Sequence, residues 1–96
     1  MSARDIALSL PGATEAPHHD RVSYRISGKI FATVPDPEHL NVMLDPDAIE
    51  AAVAENPGVC EPVYWGKRLS AVRVDVAAAG DAVVTELLTD AYRRRT

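Results

Sequence analysis

The sequence predicts an α+β two-layer sandwich with a mostly antiparallel sheet and the element order αβββαββα. Alternating apolar and polar residues indicate strands in two groups, over residues 22–44 and 60–76. Segments with helical spacing of apolar residues lie before, between and after these groups. Strands that follow one another directly, with helices kept apart from them, are typical of α+β folds. The 96 residues suit one domain spanning residues 1–96.

The first element is predicted to be a short helix over residues 2–10. Its apolar residues recur at three- and four-residue spacing, and Ser2 and Asp5 have the spacing of a capping box. A Pro-Gly pair at residues 11–12 then ends the helix. Residues 13–20 are polar and interrupted by Pro17, so we expect a loop there.

Three strands are predicted to follow as a meander. Apolar and polar residues alternate over residues 22–26 and 40–44, and residues 30–34 are β-branched and largely apolar. Turns are expected at residues 27–29 and 35–39.

The second half of the chain is predicted to begin with a helix capped by Asp45, because Pro46 suits the first helical position. Its buried stripe comprises Ile49, Ala52 and Val53, and the Asn-Pro-Gly run at residues 56–58 ends it.

The last elements are predicted as two strands and a helix. Residues 60–65 and 72–76 form the strands, joined by a turn at residues 66–68. Residues 77–80 are expected to be a linker, and Asp81 to cap the final helix, in which Asp90 and Arg94 have the spacing of an ion pair. The apolar face of that helix comprises Val84, Leu87, Leu88 and Ala91.

Composition limits the classes of function. The formal net charge is −4, so the chain as a whole does not attract polyanions, although a local basic patch remains compatible with it. Cys60 is the single cysteine, which excludes an intramolecular disulfide and a cysteine-rich zinc site. The charged N-terminal apolar run is too short for a signal peptide or a membrane span. We therefore expect a cytoplasmic protein that does not enter a membrane.

The Gly28-Lys29 pair raises the question of a phosphate-binding loop. Such a loop needs an earlier glycine, a Ser or Thr after the lysine, and a following helix. Here the earlier glycine is missing, Ile30 follows the lysine, and the next segment is a predicted strand. The pair is therefore predicted to form a hairpin tip in which Gly28 supplies a positive φ and Lys29 is exposed.

Other reactive residue types give no catalytic or metal constellation. His18, His19 and Asp20 are consecutive, so their side chains point apart, and neither they nor His39 show a recognisable ligand spacing. No sequence pattern places a histidine near Cys60 that could act as its general base. Carboxylates concentrate at turns and at a helix N-terminus. There they cap helices and complement the helix dipole, so no catalytic role is needed to explain them. We expect a protein that is not an enzyme and has no metal or cofactor.

Basic residues on strands and hairpin tips are the remaining candidates for a site. If the helices cover the apolar face, the other face would expose arginines, and Tyr64 or Trp65 would be placed to stack on a base. A solvated polar sheet face is the alternative interpretation. The basic candidates are Arg21, Arg25, Lys29, Lys67, Arg68 and Arg73.

With these residues placed, the chain resembles the MmcQ/YjbR family of small bacterial proteins over nearly its whole length. Each motif is weak alone, but their order is fairly specific. The resemblance rests on ALSLPGATEAPHHD (7–20), YRISGKIFATV (24–34), LNVMLDPD (40–47), YWGK (64–67) and ELLTDAYR (86–93).

The resemblance implies a double-wing fold similar to that of CyaY, and a DNA-binding role that rests largely on fold analogy. The chain departs from the family pattern at residues 68–72, RLSAV, where members usually carry an aromatic residue shortly after the Trp-Gly turn. Our leading hypothesis is a non-enzymatic DNA-binding domain, acting as a monomer or weak homodimer. A protein- or small-ligand-binding module without a nucleic-acid role is the alternative.

Overall fold

Six antiparallel strands form one sheet, and the helices pack against one of its faces. The structure, a computed structural model, describes residues 2–96. The α+β fold class is confirmed, with one strand more than the sequence predicted. The elements are α1 (Ala3–Ser9), β1 (Thr14–His18), β2 (Arg21–Ile26), β3 (Lys29–Asp36), β4 (His39–Val42), α2 (Pro46–Glu55), β5 (Cys60–Trp65), β6 (Arg68–Asp75) and α3 (Val76–Arg95).

The strands follow the order β1-β2-β3-β4-β6-β5 across the sheet. Two-residue turns join β1 to β2, β2 to β3, β3 to β4 and β5 to β6, which makes each of these pairs a tight hairpin. Helix α2 connects β4 to β5, and β6 then returns to pair with β4. The strands also extend further into the turns than predicted, since Lys29 and Arg68 each begin a strand.

Strand β1 corrects the prediction of a loop over residues 13–20. Pro17 misled the prediction, but β1 is an edge strand, where a residue without an N–H group is tolerated. His19 and Asp20 both take positive φ, at 48° and 62°, and form the two-residue turn into β2. Without a glycine, this turn lacked the usual sequence signal of such hairpins.

The predicted linker over residues 77–80 is also wrong, because α3 already begins at Val76. Asp75 caps it by accepting a hydrogen bond from the Ala78 N–H at 3.2 Å. Gly80 interrupts the helix with φ 78° and ψ 167°. This kink lies immediately before Asp81, the residue expected to cap the last helix.

The predicted caps of α1 and α2 and the predicted end of α2 are confirmed, whereas Arg94, expected to pair with Asp90, is paired with Asp45. Ser2 and Asp5 form the capping box of α1. Asp45 caps α2, accepting a hydrogen bond from the Ala48 N–H at 2.8 Å, and Pro46 occupies the first turn. Asn56 ends α2, as the Asn-Pro-Gly run predicted.

The core lies between the helices and the apolar face of the sheet. Helix α3 packs on β3, β4 and β6, α2 packs on β5 and β6, and α1 packs on α3. The predicted apolar face of α3 is buried, as are Ile49 and Ala52 of α2, with Val53 half-buried. The central strand residues in this core are Leu40, Val42, Val72 and Val74.

A β-bulge in β3 shapes the sheet. Tyr24 pairs with Ala32, but Arg25 pairs with Ile30, so Phe31 has no partner across the strand pair. Phe31 is fully buried and meets Tyr92 of α3 edge-to-face, with ring centroids 5.9 Å apart. Because a bulge bends its strand and increases the local twist, the sheet curves at this point.

Candidate functional site

A row of cross-strand neighbours crosses the sheet on the face opposite the core, which we call the open face. Ser23 of this row is fully buried, and its Oγ donates a hydrogen bond to the Ala16 carbonyl at 2.8 Å. Short side chains over β1 to β4 leave room above the sheet at this place. From edge to edge the row contains Ala16, Ser23, Thr33, Asn41, Arg73 and Glu61.

A cavity of about 730 Å³ opens above Thr33 and Asn41, and we call it the open-face groove. Among the described residues, no Asp or Glu lines it, although the chain has 14 acidic residues. Its positive and titratable lining residues are Arg21, Arg25, Lys29, Arg95, His18 and His19. The groove therefore concentrates positive charge on a protein of net charge −4.

The arginines of the groove are held by hydrogen bonds to their neighbours. Arg25 Nε donates to Ser23 Oγ at 3.1 Å, and its Nη2 donates to the Pro17 carbonyl at 3.4 Å. Arg21 donates to the carbonyl of Pro35. These bonds fix the direction of both guanidinium groups, which lowers the entropy lost when an anion binds.

Arg95 reaches the groove from the C-terminal end of α3. Its Nε donates to the Ile30 carbonyl at 3.1 Å, which links the helix end to the start of β3. Lys29 lies beside it at the first position of β3, exposed after the turn. This part of the groove is thus built from a hairpin tip and a helix end.

Trp65 lies where the open-face groove meets a second cavity of about 430 Å³. Trp65 is 60% exposed. Arg95 and Met43 also line both cavities, while Arg68 lines the second only. The neighbouring Tyr64 faces the other way and lines a shallow cavity with Ile49, Val53 and other residues on the α2 side.

The family assignment follows from the match over the chain. The YjbR family model matches residues 8–94. The chain belongs to the YjbR family. This confirms the resemblance found in the sequence motifs.

A solved structure shares the fold of this YjbR-family chain. The crystal structure of the Deinococcus radiodurans protein DR2400, with the domain DUF419, aligns with a TM-score of 0.75 at 22% sequence identity. The alignment covers 93% of this chain and 72% of the other. No curated protein sequence matches the chain.

In this YjbR domain, the predicted basic residues divide into three groups. Arg21, Arg25 and Lys29 meet in the open-face groove, together with Trp65 and the turn residue Gly28. Arg68 lines the second cavity.

Lys67 and Arg73 line neither cavity. Lys67 lies in the β5–β6 turn, and Arg73 lies in the polar row on the open face. Arg73 Nε and the Oδ1 of its cross-strand neighbour Asn41 are buried without a hydrogen-bond partner among the described residues.

Arg95, His18 and His19 also line the groove, and no sequence pattern indicated them. Arg95 was interpreted as a cation that complements the dipole at a helix C-terminus, and this interpretation gave no reason to place it in a site. The two histidines were assigned to a loop, and the β1–β2 hairpin places them beside Arg21. The weak signal for that hairpin was the His19-Asp20 pair, since His and Asp take positive φ more often than most residues.

Other titratable groups lie away from the groove. Cys60 is 2% exposed, and burial raises the pKa of its thiol, which opposes thiolate formation. The hydrogen bond with Asp36 raises the pKa of His39 in the β3–β4 hairpin.

Among residues 2–96, no three His, Cys, Asp or Glu side chains are grouped so that they could hold a metal ion. In the same range, no helix is both long and apolar enough to cross a membrane.

Proposed function

We propose that this YjbR-family domain is a non-enzymatic DNA-binding protein whose open-face groove contacts the phosphate backbone. The observation that carries the proposal is the convergence of Arg21, Arg25, Lys29 and Arg95 on one groove without a lining carboxylate. Fixed guanidinium groups suit phosphate oxygens, because their planar array of donors can bind them bidentately.

The overall charge of −4 does not oppose this proposal. At physiological ionic strength, exposed charges more than about 8 Å apart are largely screened. A phosphate inside the groove therefore responds mainly to the cations that line it. Acidic residues elsewhere on the surface would reduce the rate of encounter more than the strength of the contacts.

A small anionic ligand is the second candidate. The groove volume of about 730 Å³ lies within the range of small-molecule sites, roughly 300–1,000 Å³. This candidate needs no nucleic acid. It predicts a rise in melting temperature with a free nucleotide or inorganic phosphate, since ligands that bind only the native state stabilise it.

Fluorescence anisotropy with labelled single-stranded and duplex DNA, at low and physiological salt, tests the first candidate. Each phosphate neutralised contributes a slope of about −0.9 in log K against log salt on duplex, and about −0.7 on a single strand. Arg95→Ala should reduce the slope by about one such contribution.

Arg93→Ala is the matched control, because Arg93 lies on the same helix end and lines neither cavity. Arg25→Ala and Lys29→Ala should act like Arg95→Ala. Absence of DNA binding at low salt would overturn the proposal. A thermal shift with free nucleotide under those conditions would then support the second candidate.

A further inference from the structure

The open-face groove has the features of a site for an unpaired nucleotide. We infer that this domain binds single-stranded DNA in preference to duplex, with one base stacked on Trp65 and the adjoining phosphate held by Lys29 and Arg95. This inference rests on the proposed DNA binding and specifies its substrate class. The groove shape, the placement of Trp65 and the continuity of the two cavities support it.

The shape of the site distinguishes the two forms of DNA. Proteins that read duplex insert a convex element, a helix or a two-stranded ribbon, into a major groove roughly 12 Å wide. Here the cations instead line a concavity about the size of a small-ligand pocket. A flexible single strand can enter such a concavity, whereas a duplex can present to it only the outer edge of its backbone.

Trp65 supplies the stacking surface that single-strand binding requires. It is the only tryptophan of the chain, and it is 60% exposed beside a cationic groove. Proteins that bind single strands combine such aromatic side chains with a basic groove, because every base has a face that can stack. Duplex DNA keeps its bases paired and stacked, so Trp65 would gain no such contact from it.

The two cavities give the strand a path across Trp65. Both are lined by Trp65, Met43 and Arg95, so a nucleotide in one is adjacent to a nucleotide in the other. Arg68, the cross-strand partner of Trp65 in the β5–β6 hairpin, provides a cation in the second cavity. Asp45 also lines this cavity, and its carboxylate is paired with Arg94.

The test compares three labelled probes on the unmodified protein: a short oligothymidylate, an abasic strand of the same length, and a duplex of that length. We expect the oligothymidylate to bind most tightly and to quench the fluorescence of Trp65. Because one stacked base contributes substantially to affinity, the abasic strand should bind roughly five- to a hundred-fold more weakly.

Two variants locate the stacking contact. Trp65→Ala should lower the affinity for oligothymidylate by roughly the same factor. This variant should bind oligothymidylate and the abasic strand with similar affinity. Tyr64→Ala is the matched control, since Tyr64 is the adjacent residue, is 57% exposed and faces the α2 side. Its affinity for every probe should stay near that of the unmodified protein.

The outcomes separate this inference from the proposed function. If binding depends on salt but the abasic strand or the duplex binds as tightly as the oligothymidylate, the inference is overturned. The proposed DNA binding would still hold. Equal losses in Trp65→Ala and Tyr64→Ala would also overturn the inference. If no probe binds at low salt, the proposed function itself fails, and the inference fails with it.

Discussion

Arg94 Nη1 lies 2.5 Å from Asp45 Oδ2, so the last turn of α3 is bonded to the N-cap residue of α2. The same carboxylate accepts the Ala48 N–H through its other oxygen at 2.8 Å. The hydrogen bond from Ala48 and the charge of Arg94 lower the pKa of Asp45 below its ordinary value. One side chain thus starts a helix and fixes the helix end that carries Arg95.

Asp45→Ala should lower the melting temperature more than Asp45→Asn, because Asn retains the capping acceptor and loses only the charge. Since the pKa of Asp45 is lowered by folding, its stabilising contribution is present above the ordinary value near 3.8 and is lost as pH falls through the lowered value. Thermal unfolding followed by circular dichroism, from neutral pH down to pH values below 3.8, measures both effects. Asp47→Asn, in the same first turn, is the control, and equal losses in Asp45→Asn and Asp47→Asn would contradict the role of Arg94.

His39 should titrate above its ordinary value near 6.5, because its Nδ1 lies 2.9 Å from the Asp36 carboxylate and this hydrogen bond favours the charged ring. The stabilisation by protonated His39 is present below the ordinary value and is lost as pH rises through the raised pKa. Asp36→Asn should return the pKa of His39 towards its ordinary value. Nitrogen-detected NMR titration of the imidazole measures this shift, and an identical titration in the variant would exclude Asp36 as the cause.

Gly28→Ala should destabilise the fold by about 1–2 kcal/mol, the typical cost of a left-handed conformation for a residue with a Cβ. Gly28 has φ 78°, and a Cβ placed there meets no atom within 4 Å, so the cost comes from the backbone alone. Gly28→Asn should lose less, because Asn tolerates this region. Urea unfolding measures the difference. Equal stability of the Ala variant would contradict the turn assignment.

Gly12→Ala should cost more than Gly28→Ala. Gly12 has the same φ of 78°, and its Cβ would lie 3.0 Å from Ile26 Cδ1 at the edge of the core. The backbone cost is then joined by displacement of a buried side chain, which is destabilising in a packed core. The same urea experiment ranks the two variants, and the reverse order would contradict this packing.

The sequence predicted those parts of the fold that local chemistry determines. The Asp-Pro start of α2 and the apolar face of α3 depend on neighbouring residues and on helical spacing, and both are confirmed. The β1 edge strand was missed because Pro17 argues against a strand until its edge position is known. The start of α3 was missed because Gly80, a poor helix former, directly follows the alanine run, although alanine favours a helix and Asp75 is a good N-cap.

The candidate site was only partly predictable, because it is assembled from distant segments. Arg95 lies 65 residues after Ile30, whose carbonyl it reaches, and no local pattern indicates such a contact. Lys67 and Arg73 were grouped with Arg25 because all lie on strands or turns of the same sheet. The structure shows that only part of this set meets in one groove. Arg21, Arg25 and Lys29 lie on β2 and β3, whereas Lys67 and Arg73 lie on the β5–β6 hairpin.

The last prediction compares Lys29 and Lys67, two hairpin-tip lysines that the sequence patterns do not distinguish. Lys29 lines the open-face groove and Lys67 does not, although both are exposed at β-hairpin turns. Lys29→Glu and Lys67→Glu change the net charge equally, so any general repulsion of DNA is the same in both variants. Lys29→Glu should therefore weaken single-strand binding more, and should reduce the salt slope by about 0.7 relative to Lys67→Glu, because a direct phosphate contact is lost. Anisotropy titrations over a series of salt concentrations measure both slopes. Indistinguishable variants would show that DNA responds to the overall charge of the domain, and would remove Lys29 from the interface.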